Sequence, residues 1–90
     1  MTSYESSSNN VLEVTVETNT PKGGDTGHGG ITTFQLRDVA GTDIKCSWNE
    51  KERCLCISLG GDSEAETFID CIGWAYRELS RQQIKNTGLE

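Results

Sequence analysis

From residue 11 onward, apolar and polar positions alternate. In residues 11–17 (VLEVTVE), Leu12, Val14 and Val16 fall on one side and Glu13, Thr15 and Glu17 on the other, the period of a strand with one buried face. Residues 31–37 repeat the pattern, with Phe34 and Leu36 inward against Thr33, Gln35 and Arg37. Residues 38–41 (DVAG) carry turn chemistry. In 42–48, Ile44, Cys46 and Trp48 oppose Asp43, Lys45 and Ser47, and after the polar break NEKE, residues 53–59 align Leu55, Ile57 and Leu59. Four alternating segments joined by turn-rich connections predict an antiparallel meander.

Beyond the pair Gly60 and Gly61 the period changes to that of a helix. Ala65, Phe68, Ile69, Ile72, Ala75, Tyr76 and Leu79 form a nearly unbroken stripe. Ser63 and Glu66 have capping-box spacing, with Asp62 as an alternative cap. Asp62, Glu64 and Glu66 open this helix, and Arg77, Arg81 and Lys85 lie toward its end, both placements complementing the helix dipole. It is expected to stop between residues 83 and 86. Residues 1–10 (MTSYESSSNN) show neither period and read as a flexible polar tail, as do 85–90, leaving a single domain over 11–84. The expected fold is a two-layer α+β arrangement: a four-stranded antiparallel meander sheet with one C-terminal helix packed on one face. Nothing in the chain is then left to cover the opposite sheet face.

Ninety residues exclude a multidomain enzyme or a repeat array. Fourteen acidic against eight basic side chains give a net charge of -6, the wrong sign for phosphate backbones or an anionic membrane. Direct nucleic-acid or membrane binding is therefore not expected. An acidic balance suits a basic protein partner or mimicry of nucleic-acid charge. No apolar run reaches membrane-span length, and residues 1–10 lack the basic and apolar regions of a signal peptide. A cytoplasmic protein with reduced thiols is expected.

The longest stretch without strand or helix pattern is 18–30 (TNTPKGGDTGHGG), with the single proline and the single histidine of the chain. Its glycines, Gly23, Gly24, Gly27, Gly29 and Gly30, let backbone amides converge on an anion or approach a ligand. Long loops in small domains are usually functional or disordered, so a ligand loop and a flexible hairpin tip are both open. Neither a P-loop nor a dinucleotide fingerprint is present. Read as a ligand site, the loop supplies Lys22, Asp25, Thr26 and His28 beside its glycines, with Arg37 as a second cation. Asp62 joins as a hydroxyl acceptor, because GGDS at 60–63 echoes GGDT at 23–26. Trp74, Trp48 or Tyr76 would stack on a base.

Asp25, His28 and Asp62 also have the chemistry of metal ligands or acid–base groups. They lack metal-site spacing and a recognisable nucleophile, so no metal, cofactor or catalytic residue is assigned. A small hydrolase using His28 and Asp25 stands as an alternative. Cys54 and Cys56 share a strand face, Cys46 takes the other and Cys71 lies on the helix; without a C-x-x-C knuckle they read as small buried or interface thiols. Trp74, about 200° around the helix from Ile72, is expected to point outward with Cys71 and to mark a homo-oligomer interface.

In general character over the whole chain (short, acidic, one α/β layer pair and the glycine-rich loop 18–30) the protein resembles small phage-encoded counter-defence proteins. Among these, sponge proteins are compact oligomers that hold nucleotide second messengers, including cyclic-ADP-ribose-type molecules, between subunits. Anti-CRISPR proteins often use acidic surfaces to occupy nucleic-acid channels. The resemblance implies host cytoplasm as the compartment. The acids Glu13, Glu17, Asp43, Glu50 and Glu52 are interleaved with Arg37, Lys45 and Lys51, which argues against a charge mimic. The sequence thus points to an oligomeric module that binds, and sequesters, a nucleotide-derived signalling molecule without catalysis. An acidic protein–protein inhibitor is the alternative.

Overall fold

A computed structural model describes residues 1–7, 11–21 and 29–88. It contains β1 (Thr2–Ser7), β2 (Val11–Thr18), β3 (Thr32–Ala40), β4 (Lys45–Asn49), β5 (Cys54–Ser58) and α1 (Asp62–Thr87). The architecture is α+β, with a three-stranded antiparallel sheet in the order β1-β2-β3, a separate β4-β5 hairpin and one C-terminal helix.

β2 is the axis of the core because its alternation is the cleanest in the chain. Leu12, Val14 and Val16 are fully buried, and with Cys71 and Ala75 of α1 they form the apolar centre. Burying each such aliphatic side chain contributes about 1.5–3 kcal/mol. Val14 lies between Tyr4 of β1 and Leu36 of β3, and both neighbours pack against the core.

Residues 2–7, expected as tail, are instead strand β1, in antiparallel register with β2 from Thr2↔Val16 to Ser7↔Val11. Only Tyr4 is a large apolar residue in this strand, so no apolar alternation marks it. Its backbone completes the ladder of β2, Ser6 is buried, and Ser3 and Thr15 share a hydroxyl hydrogen bond of 2.7 Å on the outer face.

The single four-stranded meander is also corrected. All four expected strands exist, but among the described residues β3 and β4 are not paired. Gly41 (φ 72°) and Asp43 (φ 45°) adopt left-handed backbone, and Thr42 between them is buried, its amide donating to Asp38. The chain is redirected at this point and β4–β5 leaves the sheet as a hairpin.

The helix is rotated from its expected phase. Its buried residues are Thr67, Cys71, Ala75 and Glu78, whereas Ile69, Ile72 and Tyr76 of the expected stripe are exposed. Small side chains at 67, 71 and 75 allow close seating on β2, and the bulkier Phe68 and Leu79 fill the margin. The N-cap is Gly61 without a side-chain cap bond, in place of the expected capping box or Asp62 cap. The helix runs to Thr87, where Gly88 in left-handed conformation closes it onto the Lys85 carbonyl, rather than stopping by residue 86.

Candidate functional site

Of the expected ligand residues, Lys22, Gly23, Gly24, Asp25, Thr26, Gly27 and His28 lie outside the described residues. The two roots of their loop are described in detail. Asn19 and Ile31 form a reciprocal clasp: the Asn19 amide donates to the Ile31 carbonyl, and the Ile31 amide donates to Asn19 Oδ1 at 2.7 Å. One rung inward, the Thr18 hydroxyl meets those of Thr20 and Thr32 at 2.8 and 2.9 Å. Gly30 is packed against this knot, and a Cβ there would run into the Thr20 methyl. Gly29 is exposed, and the Thr20–Pro21 bond is cis.

The last turns of α1 clamp the same root. The Thr18 amide donates to Gln82 Oε1 at 2.8 Å, Gln83 Nε2 donates to the Thr20 hydroxyl, and Asn86 Nδ2 donates to the Thr18 and Thr20 carbonyls. Gln82 and Asn86 continue the sheet-facing row begun by Thr67, Cys71, Ala75 and Glu78. That row is apolar or small over β2 and turns polar where the strand ends, because loop carbonyls and amides need partners there.

Beside the clamp lies an open notch of about 270 Å3, walled by residues including Glu17, Thr18, Arg81, Gln82 and Lys85. Arg81 grips Glu78 in a two-pronged ion pair at 2.6 and 2.9 Å. Arg81, aided by the Gln82 amide, holds the Glu78 carboxyl below its usual range. Two cations and the Glu17 carboxylate thus stand next to the root of the glycine loop. The sequence shows Arg81 and Lys85 only as dipole partners; the signal for the clamp is a pair of amide side chains, Gln82 and Asn86, in phase with the buried row.

The remaining expected residues are dispersed. Arg37 projects from the outer sheet face, paired with Glu13 at 3.1 Å, above a shallow depression of about 500 Å3 lined by Glu13, Thr15, Gln35, Leu36 and Arg37. A smaller hollow of about 210 Å3, between Glu17, Asn19, Ile31 and Thr33, lies between it and the loop root. Asp62 begins α1, twenty positions before Gln82, and at 1.5 Å per residue stands about 30 Å from the clamp. It does not join the loop root.

The expected interface pair Cys71 and Trp74 faces inward. Cys71 is fully buried, its thiol donating to the Leu12 carbonyl at 3.5 Å, and burial pushes that thiol above its usual pKa. Trp74 stacks on Tyr4 with ring centres 5.4 Å apart. Cys54 and Cys56 share a face with sulfurs at 3.9 Å. Among the described residues, no three His, Cys, Asp or Glu side chains converge as a metal site, and no helix is long and apolar enough to cross a membrane. Comparison with models of protein families, with curated proteins and with solved structures finds no match for this chain.

Proposed function

We propose that the protein is a homo-oligomeric binding module that holds, and so sequesters, a nucleotide-derived signalling molecule at the root of the glycine-rich loop, without chemistry on it. The observation that supports this reading most is the clamp: Gln82, Gln83 and Asn86 fix the loop's first root on a rigid helix end, beside a notch carrying Arg81, Lys85 and Glu17. A binding loop held on a rigid scaffold loses less entropy when it closes on a ligand. Lys85 and Arg81 suit a phosphate, and the Glu17 carboxylate suits ribose hydroxyls. One acid among two cations fits a ribose phosphate better than a polyphosphate.

The test is native mass spectrometry on protein taken directly from cells, repeated after denaturation, followed by calorimetric titration with cyclic and linear nucleotides. A small mass released on denaturation, and binding weakened at least tenfold by Lys85→Ala, support the module. A bare protein that gives no heat with any nucleotide overturns it.

A second reading has its own observation. Glu5 and Glu13 are register partners, and Glu13 and Glu17 lie four positions apart on β2, so three acids share the outer sheet face. An acidic protein–protein inhibitor would act through this face, and charge reversal at Glu13 or Glu17 would then abolish capture of a basic target.

A further inference from the structure

The β4–β5 hairpin has two faces of opposite character. Register partners point the same way, so Cys46 and Ile57, Trp48 and Leu55 share one side, while Lys45, Ser47, Cys54, Cys56 and Ser58 share the other. On the apolar side Leu55 is 60% and Trp48 56% exposed. A two-stranded hairpin is marginal in water by itself, and among the described residues this one pairs with no further strand.

That apolar side overlooks a groove of about 190 Å3 whose six lining residues, from Phe34 and Leu36 of β3 to Leu55 and Ile57 of the hairpin, are all uncharged. The helix does not line this groove, but its flank on that side is apolar. Asp70 and Trp74 meet Tyr4 of β1, Cys71 meets Leu12, and Gln82 and Asn86 meet Thr18 of β2. Advancing about 100° per residue in that same rotational sense brings Phe68 and Leu79, then Ile72, round to the β3 side, with Tyr76 and Ile69 beyond them on the outward side of the helix. Ile72 is 39% exposed.

The surface area of the whole chain sets the scale of cover available to a partner. The chain exposes 6354 Å2, about 1,100 Å2 more than the roughly 5,200 Å2 of a folded monomer of this mass. A standard interface removes about 800 Å2 from each partner. The radius of gyration, 15.3 Å, likewise exceeds the roughly 12 Å of a compact chain of this length. Taken over the whole chain, the surplus is of the size that one standard dimer contact removes from a protomer.

We infer that the occupant is a second copy of this chain and that the β4–β5 hairpin is the dimerisation arm. In a two-fold contact, each hairpin lays its Trp48–Leu55 side on the other protomer's groove and Phe68–Ile72 helix flank, so one surface serves both partners. An uncharged patch on a chain of net charge -6 offers nothing to a basic partner, whereas it is where two acidic copies can meet without repulsion. This inference deepens the oligomeric half of the proposed function and is independent of the ligand.

The test is sedimentation of the full chain without ligand, from low to high micromolar concentration. The expected mass is twice 9.9 kDa. Leu55→Asp and Ile72→Arg each bury a charge in the contact and are expected to weaken self-association roughly a hundredfold or more, with the far-ultraviolet circular dichroism spectrum unchanged. Ser47→Asp, on the outward side of the hairpin, leaves the dimer intact. If Leu55→Asp fails to fold, Ile72→Arg gives the answer alone. A wild-type protein with single-chain mass throughout, or a folded Leu55→Asp or Ile72→Arg protein that still dimerises as the wild type does, overturns the inference. Because the mass is read without ligand, failure of nucleotide binding and failure of dimerisation are separate results.

Discussion

Tyr4 and Asp70 are 66 positions apart in the chain, and the Tyr4 hydroxyl donates to the Asp70 carboxylate at 2.6 Å. The same tyrosine ring stacks on Trp74 one helical turn later, at an interplanar angle of 16°. One side chain from an otherwise polar strand thus ties β1 to α1 by both its edge and its face. Tyr4→Phe keeps the stack and loses the hydrogen bond, and Tyr4→Ala loses both. The expected order of melting temperatures is wild type, then Tyr4→Phe, then Tyr4→Ala, and Tyr4→Ala also shifts tryptophan emission to the red as Trp74 gains solvent. Equal melting of Tyr4→Ala and wild type would show that β1 does not depend on this contact.

The contact also sets a pH window. The Tyr4 hydroxyl holds Asp70 below the usual carboxylate range, and the Asp70 carboxylate holds Tyr4 above its usual 10.0. A depressed acid contributes stability above its unfolded pKa, about 3.9 for Asp, which is lost as pH falls through the depressed value. A raised tyrosine contributes below about 10, and that contribution is lost as pH rises through the raised value. The melting-temperature gap between wild type and Tyr4→Phe is expected to be constant between these limits and to close at both extremes. Glu78, held low by Arg81, adds a separate loss at the acid end in both proteins.

Thiol reactivity separates the cysteines by burial. Cys46 and Cys56 are exposed and Cys54 is half-buried, whereas Cys71 is enclosed and its pKa raised by desolvation. A thiol-specific reagent is expected to modify Cys54 and Cys56 readily in the native protein, Cys46 more slowly because it lines the groove covered in the dimer, and all four cysteines in denaturant, because the reactive species is the thiolate. Cys71→Ser places a hydroxyl in an apolar core and is expected to cost about 1–3 kcal/mol. Fast native labelling of Cys71 would mean that the helix separates readily from β2.

The loop-root clamp is expected to be visible in hydrogen exchange. The Thr18 amide depends on Gln82 Oε1, so Gln82→Ala accelerates its exchange, while Gln82→Glu, which keeps an acceptor, largely restores protection. Asn86→Ala removes donors to two backbone carbonyls and is expected to lower stability by about 1–2 kcal/mol. Unchanged exchange at Thr18 in Gln82→Ala would remove the clamp from the account of the site.

What the sequence made legible, and what it hid, follows from how local each feature is. The alternation of Leu12, Val14 and Val16 needs only one strand and one buried face, and those residues are the core. Thr2–Ser7 is a strand because β2 offers it a ladder, which its polar side chains do not announce. The hairpin strands were readable, but their separation from β3 is set by two left-handed residues, Gly41 and Asp43, of which only the glycine advertises such a conformation. Helix phase departs from the hydrophobic stripe because Ile69, Ile72 and Tyr76 outweigh Thr67, Cys71 and Ala75 in hydrophobicity, while close seating on β2 favours the smaller set. The clamp was hidden for a related reason: Gln82 and Asn86 look like solvent-exposed helix residues until the end of β2 is placed beneath them.

Gly30 offers the sharpest test of how tightly the loop root is built. An added Cβ would collide with Thr20 Cγ2 and lie 3.2 Å from Thr20 Cβ, and the Thr20 hydroxyl is bonded to Thr18 and Gln83. Thr20 therefore cannot swing away without giving up those bonds. Gly30→Ala is expected to destabilise the protein by about 1–3 kcal/mol, the usual cost of overpacking, and to loosen the Asn19–Ile31 clasp, read as faster exchange of the Ile31 amide. Thr20→Ser removes the offending methyl and keeps the hydroxyl, so alone it costs little. Combined with Gly30→Ala it is expected to recover more than half of the loss, a non-additivity that only residues in direct contact display. Additive effects in the double mutant would mean that the strain of Gly30→Ala is absorbed elsewhere and that Thr20 is not the wall against which the loop is folded.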